Sequence, residues 1–115
     1  MQPTVNWFEV AGPDVDGLRT FYTDLFGWET SDMGGTGYQQ VTPNEGGIPG
    51  GIWSGGEPAR TWAVFYVQVD GIDKAVARAE ELGAKVLVPV EGTGPVRFAH
   101  IEDPAGNRVG LYEPV

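Results

Sequence analysis

Apolar residues follow two kinds of spacing along this chain, and the same succession occurs twice, about 57 residues apart. The mostly apolar segment from Val5 to Val10 predicts a strand. Residues 14–26 carry large apolar side chains at intervals of three and four, which predicts a helix that ends at Gly27. Short strands then follow up to residues 51–53. The helical stripe consists of Leu18, Phe21, Tyr22 and Leu25.

The second half repeats this order. Residues 62–69 predict a strand, residues 70–82 predict a helix before a glycine, and residues 110–112 lie in a last strand. We expect Asp14 and Asp70 to cap the two helices, because Asp favours the first position outside a helix.

The strand over residues 62–69 has two different faces. Because side chains alternate across a strand, one face is wholly apolar and the other mixes aromatic and polar groups. We expect the apolar face to pack under the helices and the mixed face to look into a ligand space. The apolar face holds Ala63, Phe65, Val67 and Val69, and the mixed face holds Trp62, Val64, Tyr66 and Gln68.

The composition bounds the class of protein. A chain of 115 residues fits one domain, residues 1–115, built from the modules 1–57 and 58–115. A formal charge of −9, with seven Lys and Arg, argues against a nucleic-acid partner. No apolar segment approaches the roughly 20 residues that span a membrane, and the first residues lack the pattern of a signal peptide. We therefore expect a cytoplasmic protein without a membrane partner.

Three strings, at residues 21–28, 70–83 and 103–111, resemble in their order and distances the vicinal oxygen chelate superfamily. That superfamily includes glyoxalase I, extradiol dioxygenases, fosfomycin resistance enzymes and bleomycin resistance proteins. The resemblance covers nearly the whole chain. It implies an α+β fold of two tandem βαβββ modules that form a curled mixed-sheet cup with the helices on the convex side. It also implies dimerisation, so we expect a homodimer.

Metal-using members of that superfamily place four ligands on the strands that face the cup. The resemblance puts these positions at Trp7, Gly51, Val64 and Gly110. None of these side chains can donate a nitrogen or oxygen lone pair to a divalent cation. We therefore expect a member of the superfamily with no metal and no cofactor.

Aromatic residues would replace the metal in the cup. The turn at residues 103–107 predicts a hairpin in which Glu102 pairs with Arg108, His100 faces Gly110 and Phe98 faces Tyr112. Large rings with a few polar groups suit a flat organic ligand. The alternative is that the tryptophans fill space or pack across a dimer interface. The predicted ligand-binding residues are Trp7, Tyr38, Gln40, Trp53, Trp62, Tyr66, Gln68, Phe98 and Tyr112.

Two titratable residues are candidate catalytic groups. His100 is the only histidine, and it stands ten residues before the fourth ligand position, where the extradiol relatives carry an acid or hydrogen-bond donor. A structural hydrogen bond is the alternative role of His100. Glu9 could orient a ligand, or could be solvated, or could pair with Arg97 or Arg108.

Two classes of function remain open, beside a third possibility, a degenerate member whose role is only to pair with another chain. The first is a small-molecule-binding protein of the bleomycin-resistance type, which holds an aromatic and sometimes cationic natural product or antibiotic. The second is a metal-independent lyase or isomerase of the same superfamily that uses His100 as general acid or base. The binder is favoured, because His100 is the one group that titrates near neutral pH. The identity of the ligand does not follow from the sequence.

Overall fold

The computed structural model describes residues 3–33, 35–43, 45–92 and 96–114. Its elements confirm the α+β class and the repeated βαβββ order. The first run is β1 (Thr4–Ala11), α1 (Val15–Phe26), β2 (Glu29–Asp32), β3 (Gln39–Thr42) and β4 (Gly50–Trp53). The second run is β5 (Trp62–Gln68), α2 (Ile72–Glu81), β6 (Lys85–Glu91), β7 (Val96–Glu102) and β8 (Arg108–Pro114).

The chain divides by its internal contacts into two compact units. The N-unit is Trp7–Ala63, and the C-unit is the described part of residues 64–115 together with residues 3–6. In the N-unit the strands pair in the order β2-β3-β4-β1, with β1 parallel to β4 and the other pairs antiparallel. In the C-unit the order is β5-β8-β7-β6, with β5 parallel to β8. Each unit therefore contains a mixed sheet.

The core of the C-unit forms where α2 packs on β6, β7 and β8. Ile72 and Val76 of α2 are buried on that side. Burial of such side chains is the main stabilising term of a small domain. The buried cluster comprises Val69, Ile72, Val76, Ala99 and Leu111.

The cap of α2 differs from the prediction. The N-cap residue is Gly71 and not Asp70, and no side chain caps it in the usual way. Instead, the backbone N–H of Gly71 donates to Oε2 of Glu113 at 2.6 Å. A carboxylate from a distant strand therefore satisfies the helix terminus that the adjacent Asp was expected to satisfy.

Helix α1 begins and ends as predicted. Asp14 is its N-cap and accepts from the N–H of Gly17 at 2.9 Å, and Gly27 closes it with a φ of 71°. Only part of its apolar stripe is covered by the sheet, however, because Phe21 and Leu25 are 57% and 58% exposed. The helix contacts β2 and β4 but contains no fully buried residue.

The burial of β5 is the reverse of the prediction over its first half. Trp62, Val64 and Tyr66, on the mixed face, are buried, whereas Phe65 on the apolar face is 44% exposed. Within β5, Val67 is the residue of that face that packs against the core beside α2.

In the described residues no helix is long and apolar enough to cross a bilayer.

Candidate functional site

A buried carboxylate organises the aromatic residues of the N-unit. Glu9 is 5% exposed and accepts hydrogen bonds from the Tyr38 hydroxyl at 3.0 Å and from the Trp62 indole Nε1–H at 2.8 Å. The Trp7 indole Nε1–H donates in turn to the Tyr38 hydroxyl at 2.9 Å. We call Trp7, Glu9, Tyr38 and Trp62 the Glu9 cluster. Because Glu9 is buried, its carboxylate is not solvated, which was one of the possibilities considered for it.

The electrostatics of the cluster follow from this burial. The pKa of the Tyr38 phenol is raised far above its ordinary value, first by burial and then by the negative charge of Glu9. Tyr38 therefore remains a neutral hydrogen-bond donor at every physiological pH, which keeps the Glu9 carboxylate satisfied.

Two further groups extend the cluster. The Trp53 ring lies 5.9 Å from the Tyr38 ring and 6.5 Å from the Trp62 ring, between ring centroids. The guanidinium carbon of Arg60 lies 5.0 Å from the centroid of Trp62, which is the distance of a cation–π contact. The N-unit therefore already holds one cation against an aromatic face.

Glycine at position 51 makes room for Tyr38. Gly51 is the parallel partner of Glu9 and the antiparallel partner of Gln40. A Cβ built on Gly51 would overlap the ring and hydroxyl of Tyr38. The phenol thus occupies the space where a metal ligand at this position would stand.

The C-unit contains a second polar chain. The Tyr66 hydroxyl lies 2.7 Å from Nε2 of His100, and Nη1 of Arg108 lies 2.8 Å from Nδ1 of the same ring. His100 has no exposed surface. Both ring nitrogens of the only histidine are therefore engaged.

The hairpin register that brings these residues together was predicted correctly. His100 pairs with Gly110, Phe98 with Tyr112 and Glu102 with Arg108. A Cβ on Gly110 would overlap the ring of Tyr66. The rings of Phe98 and Tyr112 meet that of Tyr66 nearly at right angles, at 85° and 90°.

A third network joins the start of β1 to β5 and β8 within the C-unit. The Tyr112 hydroxyl lies 2.6 Å from Oδ1 of Asn6 and 3.2 Å from Oε1 of Gln68. The Asn6 amide donates to the same Gln68 oxygen at 2.9 Å. Burial raises the pKa of the Tyr112 phenol. Gln68 and Tyr112 thus orient one another through a residue that the sequence analysis had not singled out.

The four positions of the superfamily metal ligands do not fit a metal. Trp7 offers only an N–H, Val64 is apolar, and the space above each glycine is filled by a tyrosine ring. Among the residues that the structure describes, no group of three or more His, Cys, Asp or Glu side chains is placed to hold a metal ion.

The predicted site residues fall into two groups, and their ligand-binding and catalytic roles stay predictions. The sequence did not mark Asn6 or Arg60 as site residues. It suggested Glu9 as a side-chain partner of Arg108, whereas Arg108 contacts His100. Arg108 could have been found, because it is diagonal to His100 in the predicted hairpin. No local pattern marks Asn6. The N-unit holds Trp7, Glu9, Tyr38, Gln40, Trp53 and Trp62, and the C-unit holds Tyr66, Gln68, Phe98, His100 and Tyr112.

Comparison with known proteins gives one family. The family model described as Glyoxalase/Bleomycin resistance protein/Dioxygenase superfamily matches residues 4–111. The chain is 32% identical to "Putative glyoxylase CFP32" of Mycobacterium tuberculosis, over 97% of this chain and 46% of that protein. It is 33% identical to "Anthracycline biosynthesis protein DnrV" of Streptomyces peucetius, over 92% of this chain and 45% of that protein. The chain therefore spans about half the length of the curated relatives it matches.

The solved structures support the fold. A superfamily member from Vibrio splendidus has a TM-score of 0.62 at 15% identity, with 99% of this chain and all of that chain covered. At this identity the likeness concerns the fold alone.

Proposed function

The chain belongs to the Glyoxalase/Bleomycin resistance protein/Dioxygenase superfamily, and on that premise we propose that it is a metal-independent small-molecule-binding protein. Its ligand is an aromatic natural product or antibiotic, held against the tryptophan and tyrosine rings of the N-unit. The observation that carries this proposal is the buried Glu9 carboxylate, whose hydrogen-bond donors are themselves aromatic side chains.

Hydrogen bonding fixes the rings before any ligand arrives. A buried carboxylate is costly unless its oxygens are satisfied, so the Trp62 indole and the Tyr38 phenol are held in the orientations that satisfy Glu9. Trp7 is fixed through Tyr38. Rings that are already ordered lose little entropy on binding, which favours a flat ligand that stacks on them.

The charge of the cluster favours a cationic group on the ligand. Aromatic faces attract cations, and an anionic carboxylate beside them strengthens that attraction. The guanidinium of Arg60, which lies over the Trp62 ring, is an example of this attraction within the protein. The formal charge of −9 also attracts a cationic ligand at long range. The relatives named for anthracycline biosynthesis support a polycyclic aromatic compound as the first probe.

Calorimetric titration with a matched pair of probes tests this proposal. The pair is 9-aminoacridine, a cation at neutral pH, and acridine, which is largely neutral there. Trp7→Ala should weaken the binding of both by roughly tenfold, as the loss of one aromatic pair and its burial predicts. Glu9→Gln removes the negative charge and also one acceptor of the two ring donors, so it should weaken both probes, and the cation by the larger factor.

Trp28→Phe is the control for this titration. Trp28 packs on Phe8, Tyr22 and Phe26, away from the Glu9 cluster, and should leave both affinities unchanged. If Trp7→Ala bound both probes as tightly as wild type does, the stacking proposal would be overturned. If Glu9→Gln lost the same factor of affinity for 9-aminoacridine as for acridine, the preference for a cation would be overturned.

A metal-independent lyase or isomerase is the second candidate. The short separation of 2.7 Å between His100 Nε2 and the Tyr66 hydroxyl favours it, because such a pair can pass a proton. His100→Ala separates the two candidates. A binder should lose about tenfold or less in affinity, as for one hydrogen bond. An enzyme should lose on the order of a hundredfold in turnover while substrate binding is nearly intact.

We also propose that the protein is a cytoplasmic homodimer. Three large apolar side chains of α1, Phe21, Leu25 and Phe26, are 55–58% exposed, and Phe65 of β5 is 44% exposed. Exposed apolar surface of this kind favours association with a second copy. Light scattering at micromolar concentration should report twice the mass of the chain, and a monomer would contradict this proposal.

A further inference from the structure

A cavity of about 390 Å³ lies at the carboxyl ends of two strands in the N-unit. Strands β1 and β4 run parallel and end side by side, where Ala11 pairs with Trp53. Helix α1 begins just beyond them, because Asp14 is the N-cap of that helix. The first turn of α1, the end of β4 and the loop before β3 therefore surround one space. Its volume is usual for a small-molecule site, about 300–1,000 Å³.

Trp53 gives this cavity an aromatic wall that is already fixed. The backbone oxygen of Trp53 accepts from the N–H of Gly12 at 3.0 Å. Its ring lies 5.9 Å from the ring of Tyr38 and 6.5 Å from the ring of Trp62, between centroids. A fixed ring attracts apolar groups and cations, and it loses little entropy when one of them binds.

The two loops that border the cavity are held by their own hydroxyl groups. The Thr36 hydroxyl donates to the backbone oxygen of Met33 at 2.8 Å, and the Ser54 hydroxyl donates to that of Gly56 at 3.1 Å. These bonds order the walls before a ligand arrives, and they use the protons of both hydroxyls. Recognition of a ligand therefore falls to the other polar side chains around the cavity.

The remaining polar side chains are hydrogen-bond acceptors with spare capacity. Within the part of the chain that the structure describes, the Asp16 carboxylate and the Gln39 side-chain amide make no hydrogen bond or ion pair. Asp14 uses its Oδ1 for the N–H of Gly17, at 2.9 Å. Among the described residues that line the cavity, none is Lys, Arg or His. Two carboxylates thus face the cavity without a cation beside them.

We infer that this cavity is a second binding site, which takes an aromatic ring that carries an aliphatic primary ammonium group. The ring packs on Trp53, and the ammonium group donates to the carboxylates of Asp14 and Asp16 and to the amide oxygen of Gln39. An anion is disfavoured, because two full negative charges outweigh the partial positive charge of about one half at a helix N-terminus. The site goes beyond the proposed function, since no residue of the Glu9 cluster lines the cavity.

A matched pair of probes tests this site. 2-Phenylethylamine is a cation at neutral pH, and 2-phenylethanol is its neutral analogue of similar size. In NMR titrations of the ¹⁵N-labelled protein, the amine should shift the backbone amide signals of residues 14–17, 36–37 and 53–54. It should also bind about threefold or more tightly than the alcohol, as an exposed charge pair predicts.

Two variants of α1 isolate the charge of the cavity. Asp16→Asn removes a carboxylate that lines it, whereas Asp24→Asn removes a carboxylate of the same helix that does not. Each change makes the protein less negative by one charge, so long-range attraction falls equally. Asp16→Asn should lose most of the preference for the amine, and Asp24→Asn should keep it. Both proteins should fold, because neither residue is the N-cap of α1.

The walls of the cavity give a further test with the same probes. Gln39→Leu removes an acceptor of the ammonium group and should weaken the amine more than the alcohol. Trp53→Leu removes the ring and should weaken both. If Trp53→Leu unfolds, Trp53→Phe keeps a smaller ring and should weaken both by a lesser factor.

The outcomes separate this inference from the proposed function. Equal affinities for amine and alcohol, or equal losses in Asp16→Asn and Asp24→Asn, would overturn the ammonium class. If the amine left the signals of residues 14–17 and 53–54 unmoved, the second site would be contradicted. Shifts at Trp7 and Glu9 in their place would make the amine a ligand of the Glu9 cluster, so the proposed function would stand while this inference failed.

Discussion

The phenol ring of Tyr38 fills the space into which a side chain at Gly51 would extend. The same relationship recurs in the other unit, where Tyr66 lies against Gly110. In both cases a glycine stands at a ligand position of the superfamily, and a tyrosine covers it: Tyr38, just before β3, and Tyr66, on β5. At both positions a phenol ring therefore occupies the space into which a side chain would project.

Substitution at Gly51 tests this packing. Gly51→Ala should lower the free energy of unfolding by about 1–3 kcal/mol, the usual cost of overpacking a filled site. In a Tyr38→Ala background the same change should cost much less, because the ring that it would strike is gone. Urea denaturation of the four proteins of this cycle measures the coupling, and strictly additive costs would contradict direct contact.

Alkaline conditions test the environment of Tyr38. Because burial and the charge of Glu9 raise the pKa of its phenol above the ordinary value of 10.0, the native state keeps a proton that the unfolded chain releases. The native state then binds more protons, so the free energy of unfolding should fall as the pH rises above about 10.

Tyr38→Phe should remove part of that fall, because it removes the phenol whose pKa is raised. Denaturant midpoints measured at about pH 8 and about pH 10.5 give the comparison. A wild-type curve that has the same slope as that of Tyr38→Phe would show that Tyr38 ionises as freely in the folded protein as in the unfolded chain.

The helix termini give a third prediction. Asp14→Ala should destabilise the protein by about 1 kcal/mol, because it removes a side-chain cap. Asp70→Ala should change stability by less than about 0.5 kcal/mol, because Asp70 is not the N-cap of α2. Glu113→Ala should cost about 1 kcal/mol, since the Gly71 N–H loses its acceptor. Thermal denaturation that ranked Asp70→Ala as the most damaging would contradict this assignment.

Metal independence is a fourth prediction. Treatment with a chelator should leave the melting temperature and any ligand affinity unchanged, because Trp7, Gly51, Val64 and Gly110 supply no metal ligand. Elemental analysis of carefully purified protein checks this. Stoichiometric zinc, nickel, iron or manganese bound at the aromatic residues would be incompatible with it.

Local patterns in the sequence predicted the helices and strands well, and the resemblance to the superfamily implied their βαβββ arrangement. Strand alternation, the helix period and the turn at residues 103–107 led to the correct elements and to the correct pairing of His100 with Gly110. These features depend on residues that are close in sequence or joined by one turn, so spacing determines them.

The details of the site depend on contacts that spacing does not encode. Glu9 meets Trp62 across 53 positions of the chain, and the Tyr38 ring covers Gly51 only because of the side-chain conformation it adopts. The exposure of Phe65 and Phe21 likewise depends on how far each helix covers its sheet. A capping Asp was expected at α2 because adjacent residues usually cap helices, but a distant carboxylate satisfies that terminus.

The most direct test of the central claim is a thermal-shift screen of the chelator-treated protein against a library of flat aromatic amines and ketones. Wild type and Trp28→Phe should be stabilised by the same compounds, and Trp7→Ala should bind each of them at least about tenfold more weakly, as the loss of a stacking ring predicts. If no aromatic compound stabilised the wild type, or if every stabilising compound bound Trp7→Ala equally well, the rings would be core or interface residues and the account would be wrong.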